Sequence, residues 1–256
     1  MINLLRAEWI KLRTVTMNWV LGIIAVAFPL VVTLLTAYFR GDDKEFNTLT
    51  SDDLASVLTG TSVVSALLCG VIAAASISAE YGFGTIRPTF AAAPKRMQVI
   101  VAKGAVAVGF GMALATIVQL VGWFAGSAIA EGRGATIDLD LSETAVPAMV
   151  GTVLLTAFMA LAGYAFGMIT RSTPAAVSIL IVWPLIAEGL VGALIGLIVG
   201  NSDVGQWMPF QAGIRMAIVG GMDGGGPTRL AAGIYFGAVA FTLASLGAWT
   251  VNRRDA

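Results

Sequence analysis

Two stretches of the chain carry residues whose types suit chemistry. Glu188 lies within a long apolar run, four residues after Pro184 and therefore on the same helix face. An ionised side chain near the bilayer midplane costs roughly 2.5–3.5 kcal/mol, so it needs a wet cavity, a proton or a hydrogen bond from a neighbouring span. Pro184 also frees the Leu180 carbonyl one turn back. Glu188 reads either as a structural or assembly residue or as a residue of the transport path, and Glu188 and Pro184, with Pro209 and Phe210 further on, are candidate cavity or gate residues. The second stretch is Glu80-Tyr-Gly-Phe-Gly-Thr-Ile-Arg-Pro-Thr-Phe-Ala-Ala-Ala-Pro-Lys-Arg96, a carboxylate followed by Arg87, Lys95 and Arg96. Gly84 and Pro94 help punctuate it as a short, partly helical loop. Such a segment suits docking on a cytoplasmic partner, although taken alone it reads first as an ordinary basic inner loop.

Familiar catalytic chemistry is excluded by what is missing. The 256 residues include no histidine and one cysteine, which removes serine–histidine triads, imidazole metal sites and thiolate zinc clusters. Cys69, among apolar neighbours, is expected to be a small packing residue. No paired carboxylates fall inside an apolar run, and no glycine-rich phosphate loop ends in Gly-Lys-Ser/Thr. The chain is not expected to be an enzyme or to hold a metal or cofactor of its own. Fifteen basic against fifteen acidic residues give zero net charge and no call for a nucleic-acid partner.

The elements that must position these residues are membrane spans. Hydrophobic residues make up 57% of the chain and charged ones 12%, half the proportion usual in a soluble domain. A crossing needs about 20 mainly apolar residues. Six runs qualify, at 17–39, 54–79, 99–130, 146–169, 175–199 and 230–250, broken by charge only at Lys103 and Glu188. The expected fold is an all-α polytopic membrane protein, one membrane domain over 1–256, with both termini on one side.

A cytoplasmic N-terminus places Arg6, Lys11, Arg13, Arg87, Lys95, Arg96, Lys103, Arg171, Arg253 and Arg254 inside, against Arg40, Lys44, Arg133, Arg215 and Arg229 outside. This satisfies the positive-inside rule and predicts a multi-pass plasma-membrane protein with cytoplasmic ends. In 1–16, Ile2, Leu5, Trp9 and Leu12 recur at helical spacing, predicting an interfacial helix that leads into an uncleaved anchor. Residues 80–98 form the inner loop. The interrupted apolar stretch 204–222 reads as an outward re-entrant or interfacial helix. Pro29 and Pro184 predict kinks, and Trp123 and Trp183 are expected to pack. Glycine pairs at spacing four, such as Gly163/Gly167, predict close helix packing within the chain.

Several of these segments together resemble type-2 ABC exporter permeases. Glu80, Gly84, Thr85, Ile86 and Arg87, followed by Pro94, Lys95, Arg96 and then Lys103, are similar to the first cytoplasmic loop of that family. Glu8-Trp-Ile-Lys-Leu-Arg-Thr14 resembles its amphipathic connecting helix, and Trp207-Met-Pro-Phe-Gln-Ala-Gly213 its outward re-entrant segment. The resemblance implies that 80–98 holds a coupling helix seated in a groove of a separate ATP-binding cassette ATPase, with Glu80, Gly84, Thr85, Arg87, Pro94, Lys95 and Arg96 transmitting force. Glu80 would cap the helix or meet a partner cation, and Arg87 a partner carboxylate or backbone group. The connecting helix would contribute Glu8, Trp9, Lys11 and Arg13. ATP and magnesium would reside on the ATPase, and a second permease would complete the exporter, which would move a hydrophobic or amphipathic substrate out of the cytoplasm. A secondary transporter or channel acting without an ATPase is the alternative reading.

Overall fold

The computed structural model describes residues 1–40, 49–92, 96–137, 144–220 and 225–254. Among them there is no strand, and six helices are long and apolar enough to cross a membrane. These are α2 (Thr16–Arg40), α3 (Ser51–Gly82), α5 (Arg96–Gly132), α6 (Ala145–Thr170), the run Thr173–Val199 and α10 (Arg229–Arg254). Shorter helices flank them: α1 (Ile2–Thr14), α4 (Ile86–Ala92) and α9 (Pro209–Ala217). The protein is an all-α polytopic membrane protein.

Local sequence sets the ends of these elements. Val15 is extended and separates α1 from α2. The Asn18 side-chain amide donates to the Leu12 carbonyl at 2.9 Å and the Trp19 indole to the Arg13 carbonyl at 2.6 Å, so α2 supplies the donors that the end of α1 lacks. At α3 a capping box joins Thr50 and Asp53, each backbone N–H donating to the other's side chain at 3.2 Å. The Thr173–Val199 run divides into α7 (Thr173–Val182), a π-helical turn (Trp183–Ala187) and α8 (Glu188–Val199). Where the sequence predicts a kink at Pro184, the helix widens by one residue, and the Glu188 N–H bonds the Trp183 carbonyl. Trp123 is buried as expected, but Trp183 is half exposed.

The bundle is built around α3 and α6, the two most buried spans. Their seam is backbone on backbone. A Cβ on Gly163 would collide with the Gly70 carbonyl, and one on Gly167 with the Ala74 carbonyl. The spacing-four glycines thus let two helices of one chain meet without side chains between them. Leu155, Met159, Leu180, Phe210 and Phe236 join α6, α7, α9 and α10 in one apolar cluster. A second cluster at the α1 end brings Ile77, Ile86, Ile100, Met168 and Val251 together, which anchors α4 against the ends of α3, α5, α6 and α10.

Candidate functional site

Four charges from three elements converge at the α1 end of the bundle. Helical spacing puts Glu8 and Lys11 one turn apart on α1, Glu8 buried and Lys11 at the exposed margin. Glu80 lies near the end of α3 and Lys103 two turns into α5. The Lys103 ammonium donates to Glu8 Oε2 at 2.5 Å and to Glu80 Oε1 at 2.8 Å, and Lys11 donates to Glu8 Oε1 and Glu80 Oε1, both at 3.0 Å. Lys103 and Glu8 are 4% and 5% exposed, so water screens their pair very little. Lys11 is nearly half exposed. Burial alone would lower its pKa, but the hydrogen bonds to Glu80 and Glu8 outweigh that and hold it above the ordinary 10.5. Two carboxylates face two ammoniums, so the cluster is neutral. It ties α1, α3 and α5 together on either side of the loop. The sequence offered Glu80 as a cap or a mate for a partner's cation; the structure commits its Oε1 to two lysines of its own chain, and its Oε2 is buried with no hydrogen-bond donor among the described residues.

The loop itself turns at Gly84, whose φ of +68° is readily adopted only without a Cβ. The Gly84 N–H donates to the Tyr81 carbonyl, and the Thr85 hydroxyl reaches back to the Glu80 carbonyl at 3.4 Å. Helix α4 follows, anchored by buried Ile86. Phe83 is 83% exposed at the turn. The Arg96 guanidinium lies 5.8 Å from the centre of the Phe90 ring, and Arg171 sits 4.8 Å over Tyr81. Pro94, Lys95 and the side chain of Arg87 lie outside the described residues. On α1, Trp9 is part-exposed, its ring 6.0 Å from that of Phe110, and Arg13 is exposed. A cavity of about 680 Å³ opens between α1, α3, α4 and α5, with Glu8, Lys11, Glu80 and Lys103 on its wall and Thr85 and Thr89 beside it.

Glu188 occupies a separate site. Its side chain is 1% exposed and faces the start of α9, where Pro209 takes the first helical position. Glu188 Oε1 accepts from the Phe210 N–H at 3.1 Å and the Trp183 indole at 3.3 Å, and Oε2 accepts from the Gln211 N–H at 3.0 Å. The carboxylate therefore caps a helix 22 residues away in sequence, meeting both orphan donors and the positive end of the helix dipole. Gln211 returns the contact by donating its side-chain amide to the Pro184 carbonyl at 2.9 Å. The four candidate gate residues thus form one junction between the fifth span and α9. Among the described residues no three histidine, cysteine or acidic groups gather as a metal site.

The span architecture is that of a multi-pass membrane protein, and the charged α1–α3–α5 junction ties three of its helices together at one end. A protein-family model described as ABC-2 family transporter protein matches residues 4–187, which takes in the four-charge cluster and α4 and stops one residue short of Glu188. The chain belongs to this family, and so is a membrane subunit of an ABC transporter. Neither the curated proteins nor the solved structures compared with it include a match.

Proposed function

We propose that the chain is the permease of an exporter in the plasma membrane, with both termini in the cytoplasm, driven by a separate ATP-binding cassette ATPase that docks on α4, and paired with a second permease. The carrying observation is the neutral cluster of Glu8, Lys11, Glu80 and Lys103. It fastens the base of the α4 loop to the interfacial helix and to two spans, so a push on α4 is delivered to the bundle rather than absorbed by a slack loop. Exposed Phe83 and the glycine turn beside α4 suit insertion into a partner's groove. ATP and magnesium would be held by the ATPase, whose closure would rock the spans between inward and outward access.

The substrate reading is a hydrophobic or amphipathic molecule, in keeping with the mixed polar and apolar wall of the 680 Å³ cavity. The self-powered alternative is disfavoured by Glu188, whose two oxygens are occupied by α9 and Trp183 rather than open to a coupling ion. The test is purification from native membranes. An ATP-hydrolysing protein should accompany the permease in equal amount. Phe83→Asp should release it while the permease remains folded. A chain that pumps alone in liposomes refutes the proposal.

A further inference from the structure

A groove of about 690 Å³ runs between α5 and α10 at the α1 end of the bundle. It exists because α10 packs chiefly on α6 and α9 and touches α5 only sparsely. Small residues face across the gap, Gly104 and Ala105 on α5 and Ala244 and Ala248 on α10. Tyr164 forms part of the lining, and its hydroxyl is already spent on the Ile100 carbonyl at 2.9 Å. A satisfied, apolar trough of this kind takes hydrocarbon in preference to water. Beside it, sharing Phe241, Ser245 and Trp249, lies a second depression of about 470 Å³. The groove and this open face of α10, on either side of Phe241, Ser245 and Trp249, suit the two chains of a diacyl lipid.

Charge marks the polar end. Trp249 is 53% exposed, and the Arg253 guanidinium sits 4.3 Å from the centre of its ring. Arg253 is exposed and no carboxylate among the described residues meets it in an ion pair. A tryptophan and an arginine stacked at the end of a span lie at headgroup depth, where a guanidinium matches a phosphate. We infer that the α5–α10 groove and its neighbour seat the two acyl chains of an anionic phospholipid, whose phosphate is held by Arg253. The lipid belongs to the leaflet on the α1 side, and the inference needs only the spanning fold, not the export reading.

The test is native mass spectrometry of the intact protein titrated with phosphatidylglycerol and with phosphatidylcholine of the same acyl chains. Wild type should retain phosphatidylglycerol about fivefold better, the weight of one basic residue at a membrane surface. Arg253→Gln should erase that preference. Ala105→Trp on one wall, and Ser245→Trp on the other, both at exposed positions, should lower retention of both lipids while leaving the thermal unfolding of the delipidated protein unchanged. Equal retention of the two lipids by wild type overturns the inference, as does a groove-filling variant that binds like wild type. A photoreactive residue at position 105 that crosslinks to a second chain instead of to lipid would also overturn it.

Discussion

Replacing Lys103 by methionine removes the most buried cation of the α1–α3–α5 junction while keeping the length of the side chain. In the native protein two carboxylates are balanced by two ammoniums at 2.5–3.0 Å. In Lys103→Met, Glu8 and Glu80 are left with Lys11, nearly half of which is in solvent. Removing one partner of a buried pair costs about 3–5 kcal/mol, because the other charge stays desolvated. A second substitution, Glu8→Gln, restores neutrality and should recover about 1–3 kcal/mol of that loss. Reversible unfolding in mixed micelles gives both numbers, and the ATPase recovered with each variant reports whether the junction also carries force. A cost below about 1 kcal/mol for Lys103→Met, or a double variant no better than the sum of its parts, refutes the electrostatic account of this junction.

Glu188→Leu should destabilise by about 2–4 kcal/mol by leaving the Phe210 and Gln211 N–H groups buried without an acceptor, whereas Glu188→Gln should cost less; unfolding of both variants measures the difference. Gly163→Ala should cost about 1–3 kcal/mol or more by prising α6 off α3, while Gly109→Ala, where an added Cβ meets nothing within 4 Å, should cost nothing and stabilise by up to about 1 kcal/mol. The Lys11 pKa is raised on folding, so its contribution is complete below 10.5 and is lost as pH climbs through the raised value; the stability gap between wild type and Lys11→Met should hold at neutral pH and close only above that window.

The spans were legible because hydrocarbon imposes a length and a composition that few other structures share. The interior charges were legible only one at a time. Lys103 reads as one more inner-side cation and Glu8 as the polar face of an interfacial helix, and nothing in their spacing of 95 residues announces that they meet. Their pairing depends on how α1 lies against α5, which is tertiary geometry. Glu188 reads as a carboxylate in need of compensation, and Pro209 and Phe210 stand with it only as candidate cavity or gate residues. That the compensation is the start of α9 follows from a fold-back that hydropathy cannot encode. The π-helical turn at Pro184 was invisible for a similar reason, since a proline signals a disrupted backbone bond without saying whether the helix bends or gains a residue. The Gly163/Gly167 pair, by contrast, carried its meaning well. Small residues one turn apart permit contact between main chains, and the α3–α6 seam is such a contact.

That seam limits how the transporter can work. Side chains interleaved between helices can swap rotamers and let one rod slide along another, but carbonyls set against bare α-carbons leave no lubricant layer. The α3–α6 pair should therefore travel as a single keel through every stage of the transport cycle. On the proposed alternating-access cycle, the motion should fall to the less buried spans around it, α2, α7–α8 and α10. Distance probes spanning the keel should stay fixed during turnover while those on its neighbours swing.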